Sequence, residues 1–221
     1  MAVAHSVPSR LVLASANPKK VAELSATFRS LGVTTTDGLA VELLPRPASV
    51  AEVIEDADTF IANARLKAVA LAVATNEVAI ADDSGLVVDA LGGAPGVYSA
   101  RYAGPEATDQ ANLQKLLREL DLLASPANGL APASAVSRAA QFCCVIVLRW
   151  PDGFELSAAG AVSGRICEQP IGSAGFGYDP VFVPDLGDGR TFAQMSPEEK
   201  QKISHRGEAL RSLAAQLAEL S

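Results

Sequence analysis

Apolar positions along the chain recur with two periods, and the alternation between them predicts an α/β fold. A short apolar run at residues 10–14 reads as the first strand. Asn17 then offers a helix cap, and Pro18 suits the first helical position. Val21, Leu24, Phe28 and Leu31 follow at helical spacing, and Gly32 ends the segment. A second strand is expected around residues 40–44, before a loop marked by Pro45 and Pro47. Glu52, Glu55, Asp56 and Asp58 lead into an Ala/Leu-rich helix over residues 59–74. Residues 78–81 predict a short strand that stops at Asp82-Asp83-Ser84-Gly85.

The apolar stretch 86–91 runs into a Gly/Pro-rich loop over residues 92–104. Thr108 caps a helix whose Leu113, Leu116, Leu117 and Leu120 form one stripe. Residues 124–137, rich in Ala, Pro and Ser, read as a surface loop or linker. Residues 142–150 and 154–162 flank Pro151-Asp152-Gly153 and predict a hairpin. Ser196-Pro197-Glu198-Glu199 is a capping box, and the last helix carries Leu210, Leu213, Leu217 and Leu220. Early alternation of strands and helices with a late hairpin predicts a mixed sheet flanked by helices.

At 221 residues the chain suffices for one large α/β domain, or two lobes sharing a sheet. Apolar residues make up 49% and charged residues 19%, which excludes a disordered chain. No apolar run has membrane-spanning length, and residues 1–10 lack a basic region followed by an apolar one. A cytoplasmic protein without a membrane partner is therefore expected. Cys143, Cys144 and Cys167 show neither metal nor redox spacing and read as small buried hydrophobes. The net charge of −7 and the absence of a Lys/Arg run argue against a nucleic-acid polymer. A small anionic substrate stays open, given local cations and a screening metal.

Five places carry candidate chemistry. In Ser15-Ala16-Asn17-Pro18-Lys19-Lys20, two lysines fall in a first helical turn, where the macrodipole favours anions. A docked phosphate resolves that conflict; a capped helix with solvated lysines is an equal reading, and the glycines of a Walker A loop are missing. Asp82 and Asp83, at a strand end, suit Mg²⁺, with one carboxylate facing the site and the other supporting it. The acids before Thr59 read, on their own, as dipole-stabilising. Small residues around Phe176 in residues 172–178 would let a flat ligand approach, and Asp179 would accept from base N–H groups or orient a lysine. Lys200 and Ser204-His205-Arg206 gather donors at a helix start.

Together these places resemble one family, the inosine triphosphate pyrophosphatases, also called the HAM1 or noncanonical purine nucleoside-triphosphate pyrophosphatases. The resemblance rests on LASANPKKVAE (13–23), TFIANARLKA (59–68), ADDSGLVVDALGGAPGVYSARYAG (81–104), GFGYDPVF (175–182) and SPEEKQKISHR (196–206), in the family's order. It implies an elongated central mixed sheet with two lobes and the active cleft between them, and a homodimer. It implies hydrolysis of inosine, deoxyinosine and xanthosine triphosphates to the monophosphate and pyrophosphate.

By the same resemblance Ser15, Asn17 and Lys20 match the phosphate motif, with Ala16, Pro18 and Lys19 beside them. Asp83 matches the carboxylate for Mg²⁺ and water, and Glu55 aligns with a second metal acid, with Glu52 and Asp56 as rivals. Ser84 matches a substrate contact. Phe176, Gly177, Tyr178 and Asp179 match the base-side loop. Lys200, His205 and Arg206 match residues closing over base and phosphates. Donors aimed at a purine 6-keto oxygen would be left unpaired by adenine, a discrimination of roughly 10⁴-fold. The related Maf-type pyrophosphatases are the nearest rival, and Asn17, Lys20 and the SHR ending argue against them. A non-catalytic nucleotide sensor and a phosphotransferase with an aspartyl nucleophile are the rivals from other classes.

Overall fold

A computed structural model describes residues 5–15, 17–124 and 136–220. The expected linker therefore lies largely outside the described residues, as does Ala16. Six strands and five α-helices are present among them. The strands are β1 (Arg10–Leu13), β2 (Glu42–Leu44), β3 (Ala79–Val88), β4 (Ala139–Arg149), β5 (Glu155–Ile166) and β6 (Phe182–Pro184). The helices are α1 (Pro18–Ser30), α2 (Phe60–Thr75), α3 (Asp109–Ala124), α4 (Pro197–Ile203) and α5 (His205–Ala218). In hydrogen-bonding order the strands run β2-β1-β3-β4-β5-β6. β1 pairs in parallel with β2 and β3, whereas β5 and β6 are antiparallel, so the sheet is mixed as the pattern predicts. No described helix is long and apolar enough to cross a membrane.

The chain divides into two compact units, and the division falls inside β3, between Asp83 and Ser84. Unit 1 comprises residues 1–83, 144–160 and 205–221. Leu11 and Leu13 of β1, Ile80 of β3 and Ile146 and Leu148 of β4 are buried there with Leu24 and Phe28 of α1 and Leu210, Leu213 and Leu217 of α5. α2 contributes small residues instead: Ala64 and Ala68 meet Ala81 and Val147. Gly160 lets α5 approach β5 closely. A Cβ there would stand 2.3 Å from the His205 carbonyl oxygen and 2.5 Å from the Ala209 nitrogen.

Unit 2 comprises residues 84–143 and 161–204. Leu86 and Val88 of β3 are buried with Leu113, Leu116 and Leu120 of α3, Phe142 of β4, Phe182 of β6 and Phe192. In unit 1 the hairpin turn closes as expected, with Trp150 N donating to the Phe154 carbonyl over 2.9 Å. The His5 ring stacks on Phe154 at 3.9 Å, and its Nε2 lies 2.8 Å from Asp152. Cys144 is fully buried and Cys143 and Cys167 half-buried, and all three are free thiols. Burial raises the pKa of each.

One expectation is overturned. β3 does not stop at Asp82 but continues through Asp83, Ser84 and Gly85 to Val88. A charged pair usually ends an apolar strand because water must reach it. Here both carboxylates are buried and answered by protein partners instead, so the ladder continues unbroken.

Candidate active site

The start of α1 is built as the sequence suggests. Asn17 caps the helix, its Oδ1 accepting from Lys19 N at 2.9 Å and Lys20 N at 3.3 Å, and Pro18 takes the first position. Ser15 Oγ accepts from Asn17 N at 3.3 Å. These bonds fix the turn from which Lys20 projects. Lys19 is exposed, whereas the Lys20 side chain is only 20% exposed.

Lys20 leads to the acidic pair. Its Nζ lies 3.9 Å from Asp82 Oδ2, and Arg206 Nε, on the first turn of α5, lies 3.5 Å from the same oxygen. Arg206 Nη1 also meets Glu23 Oε2 of α1 at 3.0 Å. Burial alone would raise the Asp82 pKa. Lys20, Arg206 and Lys67 outweigh it and hold the carboxyl at about 2. Asp82 is thus a permanent anion that joins α1, β3 and α5. His205, beside Arg206, is buried at the same helix start.

Asp83 is buried too, and its surroundings differ. Asn63 Nδ2 of α2 donates to its Oδ2 over 3.1 Å. Burial raises its pKa, the neighbouring Glu55 adds to that, and Lys67, Asn63 and Lys20 offset only part. Lys67 Nζ donates to Glu55 Oε1 over 3.0 Å, and burial, which lowers its pKa, is outweighed by Asp82, Glu55 and Asp83. The adjacent aspartates therefore differ in kind: one is a fixed counter-ion, the other a carboxylate of raised basicity. The acids before α2 also do more than stabilise a helix dipole, since Glu55 joins this cluster. Asn63, Lys67 and Glu23 were not singled out by the sequence. The one available signal was Asn63 and Lys67 at i, i+4 on an otherwise Ala/Leu-rich helix.

In unit 2 the residues expected on the base side form their own group. Asp179, buried, accepts from Lys200 Nζ at 2.6 Å and from Phe176 N at 2.9 Å. Of the two expected roles for Asp179, orienting a lysine is the one seen. Lys200 Nζ lies 5.0 Å from the Phe176 ring centroid, within cation–π range. Lys200 sits on α4, whose capping box at Ser196 forms as read, with both reciprocal bonds present. Gly177 N donates to Asp109 Oδ2 over 3.0 Å, a partner the sequence did not suggest. Tyr178 is buried and its hydroxyl donates to the Ser99 carbonyl at 2.9 Å, so its side chain fixes the loop. Ser84 is half-buried on β3.

The loop carries an internal comparison. Gly175 and Gly177 both have positive φ, +74° and +60°. A Cβ on Gly175 would stand 2.1 Å from Asp179 Oδ2, whereas one on Gly177 meets nothing within 4 Å. Gly177→Ala is expected to cost about 1 kcal/mol, the left-handed backbone penalty. Gly175→Ala is expected to cost about 1–3 kcal/mol more, because the Asp179 carboxylate must move. Urea unfolding of both variants measures the difference, and equal losses would refute this account of the loop.

A family model described as the Ham1 family matches residues 11–216. The chain is 46% identical over 206 residues to a Shouchella clausii protein named dITP/XTP pyrophosphatase, covering 93% of this chain and 94% of that one. It is 47% identical over 208 residues to a protein of the same name from Thermosynechococcus vestitus, covering 93% of each. Among solved structures it resembles a HAM1 protein from Coxiella burnetii, with a TM-score of 0.80 and 39% identity over 95% of this chain and 98% of that one.

Proposed function

The chain belongs to the Ham1 family, and from that premise we propose that it hydrolyses noncanonical purine nucleoside triphosphates to the monophosphate and pyrophosphate. Inosine, deoxyinosine and xanthosine triphosphates are the proposed substrates, and removal of these nucleotides from the pool is the proposed role. The names of its relatives support the reaction class. The observation that carries the reading is the juxtaposition in unit 1 of Lys20, at a helix start suited to phosphate, with the basic carboxylate Asp83.

A divalent cation fits the donor set. Among the described residues no three His, Cys, Asp or Glu side chains converge on one point. The charge of Glu55 acts on Asp83 and raises its pKa, which places the two acids in one electrostatic cluster. Two hard oxygen donors suit Mg²⁺, which completes its shell with water and substrate phosphates, whereas a closed zinc site asks for more protein ligands. We therefore assign Asp83 and Glu55 to Mg²⁺. When bound, Mg²⁺ supplies positive charge that offsets the triphosphate and makes a neighbouring water more acidic.

The chain's own residues do the rest. Asp83 takes the proton from the attacking water at its carboxylate. The water oxygen forms its bond to the α-phosphorus as the bond to the bridging oxygen breaks, and the electron pair leaves with pyrophosphate. Lys20, at a helix start whose dipole favours anions, offsets the charge on the leaving group. Arg206, held by Asp82 and Glu23, adds positive charge at the same place. In unit 2, Phe176 is proposed as a stacking face for a purine and Lys200, oriented by Asp179, as its donor. A homodimer, which the family resemblance implies, completes the reading, with the cytoplasm as its proposed location.

A panel of nucleoside triphosphates, with products followed by phosphorus NMR, tests the proposal. Inosine and xanthosine triphosphates are expected to give pyrophosphate as the first product and adenosine triphosphate far less. Orthophosphate as the first product would refute it.

A further inference from the structure

We propose that Asn63 is a positioning residue, one that sets where the Glu55 and Asp83 carboxylates stand for their metal. The inference rests on the reading of those two acids as the Mg²⁺ ligands. Asn63 lies in the first turns of α2 and is completely buried. Its helical neighbours Ala64, Ala68 and Leu71 are buried apolar residues. An Asn in this place is a poor helix former, and its amide is costly to bury without partners. Both of its polar side-chain atoms are answered, by three hydrogen bonds. The Oδ1 atom accepts from Ala57 N at 3.0 Å; Nδ2 donates to the Ala57 carbonyl at 3.3 Å and to Asp83 Oδ2 at 3.1 Å.

The amide cannot be turned over. Ala57 N–H is a donor, so Oδ1 must face it, and Nδ2 then supplies exactly the two hydrogens its two acceptors require. One side chain thus grips the backbone two residues after Glu55 and, with its remaining N–H, the Asp83 carboxylate. Closing the loop would need only the two bonds to Ala57. Lys67, one turn further along α2, holds the Glu55 carboxylate itself. The helix therefore presents one polar stripe, Asn63 and Lys67, and each residue fixes one part of the acidic pair. Side chains that orient metal ligands from behind are typically worth ten- to a hundredfold in metal affinity or activity.

The test uses the full chain and three variants: Asn63→Ala, Asn63→Ser and Thr59→Ala. Thr59 caps the same helix, its Oγ1 accepting from Ala62 N, so its loss weakens α2 without touching the Asn63 bonds. Two readouts are taken: the dissociation constant of Mn²⁺ alone, by electron paramagnetic resonance, and the Mg²⁺ concentration for half-maximal turnover of inosine triphosphate. Both are expected to rise about tenfold or more in the Asn63 variants. At saturating Mg²⁺ the nucleotide KM is expected to change less than about threefold, and Thr59→Ala is expected to leave both metal readouts unmoved. Metal constants within about twofold of the parent protein in a folded Asn63 variant would overturn the proposal, as would an equal shift in Thr59→Ala. Turnover by the parent protein without any divalent cation would instead overturn the metal reading itself, a distinguishable failure.

Discussion

Asp83→Asn is expected to lower kcat about 10³-fold or more, while nucleotide binding largely survives and the fold is no less stable. The rate loss follows from the role. A positioned general base contributes roughly 10²–10⁴-fold, and an amide cannot take a proton from water. The stability result follows from the sign of the pKa shift. Burial, the largest cause, raises the Asp83 pKa above its unfolded value, and Glu55 adds to it. Within that window the folded protein holds a proton the unfolded chain has released, so stability falls as pH rises through it. Above the window the charged carboxylate burdens the fold, and Asn removes that burden while keeping an oxygen to accept from Asn63. Pyrophosphate release and calorimetric melting in EDTA at pH 7 check the two parts. Full activity in the variant would remove Asp83 from the reaction.

Its neighbour is expected to behave in the opposite way. Asp82→Ala should cost about 3–5 kcal/mol, because it leaves Lys20 and Arg206 facing a buried hole where their anion stood. The Asp82 side chain is only 2% exposed, so water offers these cations little compensation. Its carboxyl sits at about 2 instead of the ordinary 3.8, despite burial, because three cations outweigh desolvation. Here the folded value lies below the unfolded one. The stability it supplies, roughly 2 kcal/mol from the shift alone, is present above the ordinary value and fades as pH falls towards 2. The test is urea unfolding of Asp82→Ala in EDTA. Its deficit against the parent protein is expected to shrink between about pH 5 and about pH 2. A deficit that does not change with pH would sink this account.

The local signals in the sequence were sound wherever structure is decided within a few residues. Asn17-Pro18 caps α1 and Ser196 opens α4 because a cap needs only its own first turn. The Leu stripe of α3 faces its core for the same reason. The end of β3 was misread because what keeps Asp82 and Asp83 inside a strand comes from far away, Arg206 lying 124 residues on. Asn63 and Lys67 hid in a helix whose composition says only that it is buried. Which of the two aspartates is basic is not written in Asp82-Asp83 at all. It depends on which cations α1, α2 and α5 bring to each, and that is settled only in three dimensions.

The interleaving of unit 1 has a consequence for how the protein is made. Its three segments include residues 205–221, and Asp82 meets Arg206 only after 124 more residues have been added. At ribosomal speeds of about 5–20 residues per second, that delay is roughly 6–25 s. For that time the nascent chain carries a carboxylate whose guanidinium partner does not yet exist. The closing of unit 1 is therefore timed by the emergence of residues 205–221 from the exit tunnel.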